Sequence, residues 1–409
     1  MKIQLCFKEF YSGASAGDKC TLFSDRNLIN RRNVTAEVDS AVNPCRKFFE
    51  LEVQARLIAA AMEVLGMKSL TDIPTANRIP DGLQSESKAN QKLYLRKVAS
   101  LVVDKYVIQH EHLETLLAKI LSIEEHQVEI AREQRDDGRF VCHFPGCDKS
   151  FAYNGKRLRD HEAQHNPPVQ NPETTPPATT EVANQETSKS LERDDMYSYQ
   201  CSFLQFAMII INFFDSIREG DGKRTVRCWK FVLPYLRNDK GSTKYALEAL
   251  GLLFQVNATL SPRDGHRLVW NRTTSLRPGH NIPLDLLMEF FNKLIKEVRR
   301  KLGPNATNQK CITRHCNAIG VNKAVLDNFD DECSIIRRSG KHVMRSSRAD
   351  LERIVGELLS QRAFLWTPGR TYHYFHNINS SLLEDFDLQD LFRWIDRHKK
   401  NIELGRRAR

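Results

Sequence analysis

Four residues of this chain have the types and spacing that hold zinc. Cys142 and Cys147 stand five apart, His161 and His165 stand four apart, and both pairs fall within the short segment from Phe140 to His165. A structural zinc site takes four thiolate or imidazole ligands in a tetrahedron, and a small unit supplies them from a knuckle with two cysteines and a helix with two histidines. Pro145 and Gly146 suit a turn between the cysteines, and the histidine spacing sets both imidazoles one turn apart on one helix face. Phe140, Phe151 and Leu158 offer the apolar residues of a miniature core. The spacing predicts a two-cysteine, two-histidine zinc finger over residues 138–168, with one zinc ion as cofactor.

Thirteen residues lie between Cys147 and His161, where about twelve is usual. The turn-forming pair Asn154-Gly155 stands just before the ligand helix, so the extra residue is expected to bulge at that corner without moving the ligands. Counting back from His161 places Asn154, Arg157 and Asp160 where groove-reading fingers face bases, with Lys156 and Arg159 near phosphates. Asn154, Lys156, Arg157 and Arg159 are therefore the expected nucleic-acid contacts. A lone finger reads about 3 bp, so it needs another module, a second copy or a protein partner. A structural spacer or protein-docking knob is the alternative reading of the same residues.

The elements that position this unit are helical. After Asn43 and Pro44, the residues Phe48, Leu51, Leu57, Ile58, Met62 and Leu65 recur at helical spacing until Gly66. A polar loop from Ser69 to Ser87 precedes helical patterns over 93–107 and through Leu113, Leu116, Leu117, Ile120 and Ile123, and a charged helix over 124–137 is expected to lead into the finger. Beyond His165 the Pro- and Thr-rich stretch cannot bury apolar area and reads as a flexible linker. Helices are then expected over 199–217, 225–236, 242–260, 283–302, 346–359 and 381–402. The predicted fold class is mainly α, with two helical regions separated by one small ββα zinc finger and a flexible linker. The expected domains are 1–137, 138–168, the linker 169–194, and 195–409.

Charge points the same way. Lys and Arg outnumber Asp and Glu by 61 to 51, for a net charge of +10, which favours polyanionic partners. Lys8 and Glu9 interrupt any export signal, and the most apolar stretch, Phe203 to Phe214, falls short of the roughly 20 residues of a spanning helix. A soluble intracellular chain with no membrane partner is expected, its remaining cysteines reduced and mostly buried and its sequons at Asn33, Asn257, Asn271, Asn305 and Asn379 coincidental.

Other constellations carry less chemistry. Cys311, His315 and Cys316, with Cys333 and His342 further on, lack a second pair at ligand spacing, so buried or half-buried thiols are expected there. Asp285 and Glu289 lie one turn apart on one helix, where Glu289 and Lys293 make an ordinary i,i+4 pair. Two carboxylates at that spacing would also suit a divalent cation, and the rival reading gives them a nuclease role. The clusters Arg299-Arg300-Lys301, Arg337 to Arg345 and Arg397 to Arg409 read as solvated surface able to follow phosphates. No Gly-rich phosphate loop, nucleophile elbow or small-molecule site is evident.

Several short runs resemble a known group of proteins. These are Glu219-Gly220-Asp221-Gly222-Lys223 with Arg227-Cys228-Trp229-Lys230, then Lys244 to Leu250, Trp270-Asn271-Arg272, Asn281 to Leu286, and Leu302 to Thr307. Together with Asn30 to Val34 and the interposed finger, they are similar to a family of transposon-related invertebrate zinc-finger proteins. The resemblance implies longer relatives with an upstream Gly-Asp-Gln motif able to donate a carboxylate to an RNase H-like site, and a Glu-His pair where this chain has Glu289-Phe290. On that basis the chain is expected to be a partial or decayed member: non-enzymatic, nuclear, and binding nucleic acid, DNA in preference to RNA, with a possible protein partner through the finger.

Overall fold

A computed structural model describes residues 2–109, 114–123, 125, 139–142, 144, 146–151, 156–165, 193–275, 280–333 and 347–404. It is mainly helical. Helices α1 (Lys2–Phe10), α2 (Leu22–Leu28), α3 (Val42–Leu65) and α4 (Lys88–Val103) precede two short strands, β1 (Phe140–Val141) and β2 (Ser150–Phe151), and helix α5 (Lys156–His165). There follow α6 (Asp195–Glu219), α7 (Gly222–Asn238), α8 (Thr243–Phe254), α9 (Pro262–Trp270), the strands β3 (Thr273–Ser275) and β4 (Asn281–Pro283), and α10 (Leu284–Leu302). Helices α11 (Gln309–Glu332), α12 (Arg348–Ser360) and α13 (Leu388–Glu403) complete the described chain.

Two compact units emerge, and the linker does not divide them. One joins residues 1–207 to 353–409, and the other is the continuous stretch 208–352. The expected single domain over 195–409 is thus split, because its first and last segments pack with the N-terminal helices. Asp194, placed by the sequence at the end of the linker, is buried and accepts a bond from Arg370 Nε at 3.0 Å. Residues 169–192 of that linker, and the charged segment 126–137, lie outside the described residues.

The first unit is organised around α3. Phe48, Phe49, Val53, Ala55, Ala59 and Ala60 are buried on several of its sides, the mark of a central helix, and Gly66 ends it at φ +66. Phe10 meets Tyr199 and Phe203 edge-on, with ring centroids 5.4 and 5.5 Å apart. Within this apolar centre sits a polar cluster the sequence reading missed. Arg56 is fully buried; its guanidinium contacts Asp25 at 3.0 Å and Glu52, donates to Gln200 Oε1 at 2.8 Å and to the Cys20 carbonyl at 2.9 Å, and lies 4.8 Å over the Phe203 ring. Near the chain ends, Asp18 accepts bonds from the backbone N–H groups of His373 and Tyr374 at 2.8 and 2.9 Å.

Helix α6, at 25 residues, is long and apolar enough to cross a membrane by length and composition, which exceeds the dozen residues expected. Yet Tyr199, Phe203, Leu204, Phe206 and Ile210 along it are buried within the protein. In the second unit, α7 starts from Asp221, whose carboxylate accepts the Arg224 N–H. A Cβ on Gly222 would stand 2.0 Å from the Val269 carbonyl oxygen, so only glycine lets α7 approach α9 this closely. Helix α13 begins at Leu388 rather than 381, since Asp387 caps it and turns occupy the preceding residues. Helices α1, α2, α9 and α11 and the β3–β4 hairpin were not anticipated from sequence.

Candidate metal centre

The Cys/His segment is built by local hydrogen bonding. Strands β1 and β2 pair antiparallel, with Phe140 opposite Phe151 and Val141 opposite Ser150. The Cys142 N–H donates to the Lys149 carbonyl at 3.0 Å and the Cys147 N–H to the Phe144 carbonyl at 3.1 Å, closing the knuckle between the two thiols. Gly146 takes φ +88 within it, a conformation that favours glycine. Helix α5 then presents Leu158 and His161 inward, both buried, while Arg157, Arg159 and Asp160 are exposed.

All four expected ligands come together. The Sγ atoms of Cys142 and Cys147 and one ring nitrogen each from His161 and His165 lie within 4.8 Å of one another. Cys147 Sγ is 3.2 Å from His161 Nε2, which is 3.0 Å from His165 Nε2. Tetrahedral zinc with ordinary bond lengths needs edges of roughly 3.3 Å between nitrogens, roughly 3.5 Å between nitrogen and sulfur and roughly 3.8 Å between sulfurs. The two edges at His161 Nε2 fall a few tenths of an ångström short of those lengths, and the four donors are of the types that ion takes. Burial pushes the Cys142 thiol above its ordinary range, and burial together with His165 pushes the His161 imidazole below its own. Crowded donors that resist carrying their own charge are suited to sharing a cation, which replaces the thiol protons.

Aromatic rings wall the cluster. Phe151 lies 5.4 Å from the His161 ring, as the apolar residues of the sequence suggest. Phe144 stacks on His165 at 4.4 Å, a contact the sequence reading missed although an aromatic two residues after the first cysteine was the available signal. Of the expected nucleic-acid contacts, Arg157 and Arg159 lie on the exposed side of α5, whereas Asn154 and the side chain of Lys156 are outside the described residues.

The remaining candidates stay apart. Asp285 and Glu289 are exposed on α10, and among the described residues no third metal-ligating side chain joins them. Cys311 and His315 are half-buried on α11, but Cys316 and Cys333 are exposed, contrary to the expected burial or half-burial. Arg299 and Arg300 are exposed near the end of α10; the clusters from Arg337 to Arg345 and beyond Leu404 lie outside the described residues, as does His342.

A family of unknown function, DUF6589, matches residues 2–342, and the chain belongs to that family. No curated protein and no solved structure matches it.

Proposed function

We propose that this DUF6589 member holds one zinc ion through Cys142, Cys147, His161 and His165, as a small ββα finger, and binds nucleic acid without catalysing a reaction on it. The convergence of four soft or borderline donors from a knuckle and a helix carries this reading. Its nucleic-acid side rests on the exposed Arg157 and Arg159, which point away from the ligand face, and on the net charge of +10. DNA is the favoured partner and the nucleus the corresponding compartment. A transposon origin rests on the motif resemblance. The only carboxylate pair at cation-binding spacing that the sequence singled out, Asp285 and Glu289, comes from a single turn of helix, a poor basis for surrounding two catalytic ions.

Zinc-edge X-ray absorption on the purified chain tests the metal. Two sulfurs at about 2.3 Å and two nitrogens at about 2.0–2.1 Å are expected. Protein that carries no zinc, or zinc in a shell without sulfur, defeats the reading. Duplex DNA binding weakened by paired Arg157→Gln and Arg159→Gln substitutions is the corresponding expectation for the helix, and unchanged binding removes the finger from the interface.

A further inference from the structure

A second feature, remote in sequence from the Cys/His cluster, has the chemistry of a nucleic-acid groove. Helices α7 and α9 flank a cleft of about 370 Å³ within the second unit. Lys223, Arg227 and Lys230 project into it from one face of α7 at helical spacing, all three exposed, and no acidic side chain lines the cleft. Among the described residues, none of the three cations is in a salt bridge, whereas Arg224 on another face pairs with Glu219 at 3.0 Å.

The opposite wall supplies aromatic surface. His266 and Trp270 stand one turn apart on α9 with ring centroids 6.0 Å apart, and Trp270 keeps 40% of its surface exposed. That exposed indole leaves a flat face open to stacking. Apolar residues complete the lining: Val226 and Val269 belong to one buried cluster, and Gly222, next to Lys223, lets the two helices approach closely. Three of the motif runs noted in the sequence, at Gly222-Lys223, Arg227 to Lys230 and Trp270, thus meet in one place.

We infer that this groove binds an unpaired nucleic-acid strand, its phosphates along Lys223, Arg227 and Lys230 and a base stacked on Trp270. The row of cations covers about 10 Å of helix axis at 1.5 Å per residue, enough to meet more than one phosphate. Single-strand binders combine this kind of positive track with an aromatic platform, because every base has a face that stacks whatever its identity. A duplex keeps its bases stacked on each other and offers none to Trp270. This inference rests on the nucleic-acid reading above but on nothing in the metal chemistry.

The test uses the full chain and a fluorescent oligothymidylate of about 16 nucleotides, the upper end of single-strand site sizes. Trp270→Ala is expected to weaken binding by about 5-fold or more, with Trp270→Phe close to wild type. Replacing Lys223, Arg227 and Lys230 together by Gln is expected to flatten the dependence of log affinity on log salt by about 2. Trp270→Ala is expected to cost the same factor in affinity in a His161→Ala background as in wild type, so that failure of the zinc reading leaves this result standing. Wild-type affinity in both groove variants overturns the inference. So does an equal loss on a blunt duplex, or competition by thymidine monophosphate as effective as the oligomer's, which would make the groove a nucleotide site.

Discussion

Arg56 and Asp25 form an ion pair at 3.0 Å in which neither side chain reaches solvent, and Glu52 lies against the same guanidinium. One buried cation therefore serves two buried carboxylates. Removing it leaves both acids without a counter-ion, a loss of about 3–5 kcal/mol for a broken buried pair. Arg56→Met is expected to lower the unfolding free energy by about that amount in urea titrations. A variant as stable as wild type would mean that the cluster is solvated.

The same cluster makes stability depend on pH. Burial raises both Asp25 and Glu52 above ordinary carboxylate values, Glu52 strongly, with the neighbouring Asp25 adding to the effect. An acid whose folded value is raised binds more protons folded than unfolded, so its contribution is fully present below the unfolded value and lost as pH rises through the folded one. Glu52→Gln removes that loss. Its melting temperature relative to wild type is expected to climb as pH rises from the ordinary glutamate value of 4.5. A difference that is flat or falls with pH contradicts the assignment.

Gly222→Ala tests the close approach of α7 and α9. Its Cβ would collide with the backbone at Val269, not with a flexible side-chain tip, so the helices must separate. A destabilisation of about 1–3 kcal/mol is expected. Hydrogen exchange should quicken in 208–352, with α1 to α3 little changed; uniform quickening would show the two units to be one cooperative block.

Zinc stoichiometry separates the metal site from the rest of the fold. One equivalent per chain is expected, falling to none in His161→Ala, with the helical circular dichroism largely retained. Because burial keeps the Cys142 proton on, zinc uptake should release protons and tighten as pH rises. Two equivalents resistant to mild chelation, or collapse of the whole helical signal in His161→Ala, runs against this.

On catalysis the expectation is negative. With magnesium or manganese, no cleavage or joining of DNA is expected, and Glu289→Gln should alter nucleic-acid binding only by the small effect of one charge. Reproducible manganese-dependent nicking that vanishes in Glu289→Gln would promote the nuclease alternative.

What the sequence made legible follows from range. The four Cys and His residues are within 24 positions of one another, so local spacing was enough to bring them together. Long amphipathic or apolar runs such as α3 and α10 also declared themselves. The Arg56 cluster did not, because its members Asp25, Glu52 and Gln200 come from distant segments; only the pair Glu52 and Arg56, charged and one turn apart among the buried positions of α3, was a signal. The split of 195–409 was equally hidden, since no composition change marks where a helix passes from one unit to another.

The bond from the His373 amide to Asp18 spans 355 residues. At about 5–20 residues per second of synthesis, roughly 20–70 s pass between the emergence of its two ends from the ribosome. Throughout that interval α1 to α3 lack the C-terminal segment that completes their unit, while the continuous stretch 208–352 has all it needs to close. The N-terminal helices, with the acids destined for their interior, are thus expected to complete their packing only after the stretch 208–352 has been made.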